Sequence, residues 1–497
     1  MDGQAFDRIA RALGAGMRAT STRRAGLLGA LGGMLGVAGA VEAGSGKHGR
    51  GPAAEGPCGP TKKDNVCTKN KDCCTGYCET KKTTNLDGKG RCRCLSSGMT
   101  CTKRQTCCGR LSCLSGICGH PPPPTPCMVC ASGCAYATVQ AAIDAAAPGD
   151  AIDIGGGVYS EDLTIDKNLV LQACHGESVT LQNLTDATRT IVLSNTPTVR
   201  ITGITVTCGT CVTGSGGGIS GLANLTLDGS ASVTGNANSG NGGGILMEAE
   251  LLTGDYVLAM VDTASISDNS ADSYGGGLYF GKTTGGASTF TVTMDDDASI
   301  TGNVSSGGAG MKLYREGRVV MRGNSRIDGN EVKHLVDSYD GGAIAFVYIE
   351  APAGTTIFEM HDSSKITNNI ADDAGGAVNV TRPGNAVLMV MDGTSEVSGN
   401  SAGGDGGGFS IYAALTPTSL TVKDTAVIRN NTATGNGGGV LLGGDAALVL
   451  QGSASVTGNT AASGGGVYSV LTGTSVTGGS AVTSNTPDQC AGTGISC

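Results

Sequence analysis

Leu225 to Leu246 reads LTLDGSASVTGNANSGNGGGIL, and this stretch decides the fold. It opens on a short apolar–polar alternation, Leu225-Thr226-Leu227, and passes through a small-residue turn. It then steps from Val233 to Asn236 and closes on three glycines before an aliphatic. The same unit recurs down the C-terminal half. Its asparagine falls at Asn236, Asn269, Asn303, Asn330, Asn369, Asn400, Asn431, Asn459 and Asn485. Each stands three residues after a β-branched aliphatic: Val233, Ile266, Ile300, Ile327, Ile366, Val397, Ile428, Val456 and Val482. Successive asparagines are 33, 34, 27, 39, 31, 31, 28 and 26 residues apart. A constant motif at variable spacing is a repeat with a constrained core and free loops.

Period-two alternation marks strands, and runs this short do not hold as isolated hairpins. A strand with one apolar face needs a neighbour bearing the same face, which identical units stacked about 4.8 Å apart provide. The expectation is an all-β solenoid. Val and Ile file inward, and Asn amides hydrogen-bond from coil to coil. Asn also suits a corner because it accepts left-handed backbone angles. The glycines let the chain turn where a Cβ would meet the next coil. This account is wholly structural, since a reactive site has no need of nine copies.

The motif is similar to the repeat of the chlamydial polymorphic outer membrane proteins, which pairs G-G-A-[ILV] with F-x-x-N. Gly341-Gly342-Ala343-Ile344 and Gly375-Gly376-Ala377-Val378 match the first element, while the second stands here as Ile/Val-x-x-Asn without the Phe. Over roughly 136–489 the chain also resembles the pectin-lyase-like right-handed parallel β-helix proteins. The resemblance implies a right-handed parallel β-helix with a short N-terminal capping helix. It says little about activity.

The absence of Trp and the 3% of aromatic residues fit a core of Val, Ile, Leu and Ala. The net charge of −9 is unevenly spread: residues 58–118 hold 12 Lys/Arg against 4 Asp/Glu, and residues 119–497 hold 14 against 34. A basic module on an acidic rod points to separate partners for each, or to solubility. Nothing in the sequence suggests nucleic-acid binding, and no membrane span is expected in the mature chain.

Residues 1–43 read as an export signal: Arg8, Arg11, Arg18, Arg23 and Arg24 precede a Gly-rich apolar run, Ala25 to Val41. Val41-Glu42-Ala43 fits a cleavage site, with Ala38-Gly39-Ala40 as the alternative. Ser21-Thr22-Arg23-Arg24 before Leu27-Leu28 resembles a twin-arginine signal, with Gly26 where a larger apolar residue is usual. That likeness implies a chain exported already folded, to an extracellular or cell-surface location. An uncleaved anchor is the competing reading.

After a linker at 44–57, residues 58–118 carry two sets of six cysteines: Cys58, Cys67, Cys73, Cys74, Cys78, Cys92, then Cys94, Cys101, Cys107, Cys108, Cys113, Cys118. Segments of about 30 residues cannot bury a core and need cross-links. The pattern resembles the inhibitor cystine knot. That resemblance implies Cys58–Cys74, Cys67–Cys78 and Cys73–Cys92, then Cys94–Cys108, Cys101–Cys113 and Cys107–Cys118. Zinc is the competing use. Lys62, Lys63, Lys81, Lys82, Lys103 and Arg104 offer a surface to an anionic cell-wall polymer, or simply a solvated basic face.

Pro121 to Pro124 and Pro126 mark a stiff linker within 119–135. Cys127, Cys130, Cys134, Cys174, Cys208 and Cys211 read as disulfides tying down the start of the solenoid, rather than as a metal site. A helix is expected from Thr138 to Ala147, with Thr138 as its cap and Val139, Ala142, Ile143 and Ala146 on one face. Strands are expected at Ala151–Ile154, Leu163–Ile165, Leu169–Leu171, Val179–Leu181 and Ile191–Leu193. The solenoid is expected to span 136–489, with Cys490 and Cys497 closing the tail, 490–497.

The one atypical coil carries Asp295-Asp296-Asp297 near Arg315, Arg318, Arg322 and Arg326. In β-helix lyases, carboxylates hold Ca²⁺ and a basic residue removes a proton. The resemblance therefore makes Asp296, Arg318 and Arg322 candidate catalytic residues, with Ca²⁺ as the only implied cofactor. The Asp corresponding to Asp296 is expected to recur as Asp228, Asp262, Asp362, Asp392 and Asp424, which favours a structural turn. His361-Asp362 lies in the same turn, and His175 and His334 read as loop residues. Tyr274, Tyr279, Phe280, Tyr314, Tyr339, Phe346, Tyr348 and Tyr412 are candidates for sugar stacking or for packing. Three functions follow: a secreted structural or adhesive rod binding a surface polymer or glycan, a polysaccharide lyase or hydrolase acting on acidic polysaccharide, and an inhibitor-like cysteine module carried on a rod.

Overall fold

The computed structural model describes residues 126–183, 189–208, 217–249, 254–282, 289–314, 317–333, 341–347, 355–381, 386–413, 418–471, 475–477, 481–495 and 497, with five short strands between 66 and 119. The chain divides into two compact units, Met1–Pro123 and Pro124–Cys497. In the first, Gly90–Cys92 lies between Val66–Cys67 and Cys78–Glu79 in an antiparallel sheet, and Ser112–Leu114 pairs with Ile117–Gly119. The export signal, the cystine-knot pairing and the basic residues of this unit lie outside the described residues.

The second unit opens with helix α1, Val139–Ala145. Thr138 Oγ1 accepts the Ala141 N–H at 3.3 Å. Glu161 does more, taking the Val139 and Gln140 N–H groups at 2.8 and 2.9 Å from the turn after Gly157–Ser160. The helix stops earlier than the expected Ala147, because the Ala147 N–H goes to the Asp150 carboxylate at 2.8 Å. Its Val139, Ala142 and Ile143 pack on the core.

A parallel β-helix follows. Each coil lays one strand in each of three sheets, and each sheet is twelve strands deep. The first coil is Ala151–Ile154, Gly157–Ser160 and Leu163–Ile165, in the first, second and third sheet respectively. A seven-stranded fourth sheet of two-residue strands runs from Ala237–Asn238 to Thr432–Ala433. The expected strands are present. Gly157–Ser160 escaped the sequence reading because its alternation is weak and Val158 faces outward, 64% exposed.

Inside, like sits on like. Val206, Val233, Ile266, Ile300, Ile327, Ile366, Val397, Ile428 and Val456 are paired rung by rung and fully buried. Phe280 stacks on Phe290 at 4.6 Å within the same core. Each such side chain gains roughly 1.5–3 kcal/mol over exposure.

The asparagines form one continuous ladder. Each Nδ2 donates to the Oδ1 of the next asparagine, from Asn236–Asn269 at 2.9 Å through to Asn459–Asn485 at 2.9 Å. The backbone N–H of each donates to that same Oδ1, as from Asn330 to Asn369 at 3.0 Å. The second amide proton reaches back to the preceding coil, as from Asn369 to Ile327 O at 3.1 Å. From Asn269 onward every buried amide is thereby satisfied along the file. Gln489 Oε1 ends it, accepting from the Asn485 N–H and Nδ2 at 3.1 and 3.0 Å. At the other end the Asn236 Oδ1 is buried with no hydrogen-bond partner among the described residues.

One expectation needs correction. The ladder asparagines do not take left-handed angles; the residue before them does, at Gly235, Asp268, Gly302, Gly329, Asn368, Gly399, Asn430, Gly458 and Ser484. That residue turns the corner, and the asparagine is left free to aim its amide inward. The glycine run seats the ladder. A Cβ on Gly244 would stand 2.6 Å from Gly277 O and 2.9 Å from Asn269 Nδ2.

Chain length is fixed on one side of a coil and free on the other. Leu227 and Asn236, Met260 and Asn269, Met294 and Asn303, and Met360 and Asn369 keep one separation throughout. Most of the variation lies between the third sheet and the next first-sheet strand, as from Tyr314 to Gly317 or from Val347 to Thr355.

Asn369→Ala should cost roughly 2–4 kcal/mol, since it strips the Asn330 N–H and amide of their buried acceptor. Amide hydrogen exchange should rise first in the flanking coils. Ser364→Ala should have the opposite sign: its Oγ, like those of Ser325 and Ser395, is buried without a hydrogen-bond partner among the described residues, in a file where other coils carry Ala264, Ala298 and Ala426. A gain of about 1 kcal/mol in urea denaturation is expected.

Candidate functional site

The turn from first to second sheet carries the charged candidates. Its left-handed position is Gly229, Asp262, Asp296, Gly323, Asp362, Gly393, Asp424 and Gly452 in successive coils. Asp296 is therefore a turn residue. Asp228 and Asp392 do not share its place, contrary to the sequence expectation: they stand one residue earlier, beside Asp295, with glycine in the turn after each. An Asp here also serves its neighbour, since Asp362 and Asp424 accept the N–H of Gly323 and Gly393 at 3.0 and 3.2 Å.

The preceding position forms a charged stripe of Asp295, Arg322, His361, Asp392 and Lys423. Arg322 Nη1 lies 3.2 Å from Asp295 Oδ1. His361 Nδ1 is 2.9 Å from Asp392 Oδ1 and its Nε2 is 3.7 Å from Glu359 Oε2. Lys423 Nζ is 3.3 Å from Asp392, and Arg318 Nη2 donates to Glu359 Oε2 at 2.6 Å. Of the sequence candidates, Arg318 and Arg322 thus bridge coils through separate carboxylates, and neither meets Asp296. Arg326 lies in the second sheet, in register with Lys365, and Arg315 and His334 lie outside the described residues. Asp295 is held by Arg322, and Asp297 accepts from Asn324 Nδ2 at 3.2 Å. Two of the three carboxylates are engaged, which does not fit a calcium cage of three free ones.

Hydrogen bonds to Asp392 and Glu359 outweigh burial and push the His361 pKa up to about 9. Burial opposes the Glu359 carboxylate, but its bonds from His361 and Arg318 prevail and hold it below the usual range. Asp392 is held low in the same way by His361 and Lys423. An imidazolium clasped by two carboxylates stays charged at neutral pH and does not act there as a general base. Its chemistry is that of a staple across coils.

On the third sheet, Lys312 is fully buried with Nζ 3.3 Å from the centre of the Tyr274 ring and 5.4 Å from that of Tyr314. Burial, then the neighbouring Tyr314, Glu248 and Tyr274, raises the Tyr279 pKa. Burial also lowers the Arg189 pKa to about 10, against the opposing pull of Glu248. Phe280 and Phe346 belong to the core, while Tyr412 is exposed. Tyr339 and Tyr348 lie outside the described residues. The outer face of the second sheet is different in kind, a half-buried file of hydroxyls at Thr205, Ser232 and Ser265 that runs into the buried Ser299.

Cys127–Cys174, Cys130–Cys134 and Cys490–Cys497 are disulfides, Cys208 is disulfide-bonded, and Cys211 lies outside the described residues. Among the described residues no helix is long and apolar enough to cross a membrane. No family model, curated protein or solved structure matches this chain. Sequence reading missed Gln489, Glu161 and Glu359, whose partners stand 2 to 41 residues away.

The staple sets a pH window. The raised His361 pKa stabilises fully below its unfolded value of about 6.5, and this is lost as pH rises through about 9. The lowered carboxylates act in the opposite sense: their contribution is present above about 4.5 and is lost as pH falls through their folded values. The Tm should peak between about pH 5 and 6.5 and fall toward pH 10. His361→Gln should flatten the alkaline arm, removing on the order of 2 kcal/mol at pH 6.

Proposed function

We propose that this chain is an exported β-helix rod with a structural and adhesive role, carrying a cystine-knot-like basic module that grips an anionic surface polymer. The observation that carries the reading is where the buried and charged groups spend their bonds. The asparagine ladder, the His361 clasp and the Arg318–Glu359 pair all join coil to coil. Side chains committed this way stiffen a stack and leave few free groups for turnover. The acidic charge of residues 119–497 supports placing an anionic polymer on the basic residues of 58–118 rather than on the solenoid. The hydroxyl file suits contact with an uncharged glycan.

The test is sedimentation of the full chain with an anionic cell-wall polymer, beside a turnover screen on pectin and alginate with and without Ca²⁺. Binding should fall at least tenfold at high salt and again on reduction, with no turnover in any arm. Turnover lost in Arg322→Ala would instead establish the lyase reading.

A further inference from the structure

Cys127, Cys174 and His175 bring two sulfur atoms and an imidazole nitrogen within 4.8 Å of one another. The sulfurs are joined, with their Cα atoms 5.8 Å apart. His175 lies against that bond, its Nδ1 3.6 Å and its Nε2 3.9 Å from Cys174 Sγ. Its backbone is left-handed, at φ 53° and ψ 22°. That conformation is uncommon for a side-chain-bearing residue, and strain of this kind gathers at functional sites. Cys174 is buried, Cys127 is half-buried and His175 is exposed, so a solvent-borne thiolate meets Cys127 first.

The link does mechanical work. Val129 bridges Ile154 and Tyr136, and Met128 donates to Asp153 O at 2.8 Å, so the segment after Cys127 covers the open edge of the first coil. Cys174 sits in the second coil and anchors that cover. In a reducing compartment the disulfide does not persist, and a chain that folds before export would lose its anchor there. That setting rests on the proposed export; the geometry of the trio does not.

We propose that these three residues form a redox-gated zinc site: with the disulfide reduced, two thiolates and the imidazole hold one Zn²⁺ and keep the cover anchored. Two thiolates, one imidazole and a water complete a tetrahedral zinc shell, and soft sulfur ligands select such an ion. The exchange balances with a dithiol as reductant. Its thiolate attacks Cys127 Sγ, the Cys127–Cys174 bond breaks, and Cys174 leaves as a thiolate beside His175. The second thiolate of the reductant then displaces Cys127, and the reductant departs as a disulfide, two electrons oxidised. Zinc binding releases the two thiol protons.

The experiment compares the full chain, reduced and oxidised, with His175→Ala and Cys174→Ser, using Co²⁺ as the probe and thermal melting with Zn²⁺ as a second readout. The reduced native chain should bind one more equivalent with tetrahedral cobalt–thiolate absorption than reduced Cys174→Ser, which corrects for cysteines elsewhere. Reduced His175→Ala should bind that equivalent at least tenfold more weakly, and reoxidation of the native chain should release it. Zn²⁺ should raise the Tm of the reduced native chain and not that of reduced His175→Ala. Equal cobalt uptake and equal melting in the native and His175→Ala chains would overturn the proposal. So would a cobalt equivalent retained at this site after reoxidation.

Discussion

A carboxamide buried in hydrocarbon must find partners for two protons and an oxygen, or cost several kcal/mol. Nine asparagines solve that problem jointly. Each lends protons forward and backward, and each after Asn236 takes two on its own oxygen, so none of these is satisfied until its neighbours are in place. This mutual dependence fixes the register of the coils from Asn236 to Asn485. A slip of one residue would turn the aliphatic files outward and strand the amides at once.

The rest of the architecture serves that file. The residue before each asparagine absorbs the left-handed turn, and the glycine run clears the space that a Cβ would occupy against the Asn amide. The charged stripe lies on the outer surface with the same axial logic. There Arg322, His361 and Lys423 each reach a carboxylate in an adjoining coil. Inside and outside, the bonds run along the stack.

The solenoid was legible because its determinants repeat. Val233 or Asn236 alone means little, but the same pair in nine places admits one economical geometry. What repeats loosely was misjudged. Asp228 and Asp296 look equivalent by eye, yet Asp-Gly and X-Asp turns place their carboxylates one residue apart, and only the backbone angles separate them. What occurs once was invisible. Gln489 ends the ladder from outside the motif, and Glu359 meets Arg318 from 41 residues away. The ion-pair partners of Arg318 and Arg322 could not be read, because adjacency across coils depends on loop lengths that carry no pattern.

Most of the unequal coil length gathers at one seam. Strands of the third sheet end at Lys282, Tyr314, Val347 and Thr381, and the next coil resumes at Thr289, Gly317, Thr355 and Ala386. Insertions there leave the amide file untouched. The molecule therefore offers a graduated edge, with an independent attachment point about every 4.8 Å. Evolution or an engineer can lengthen, shorten or exchange one such point without renegotiating the others.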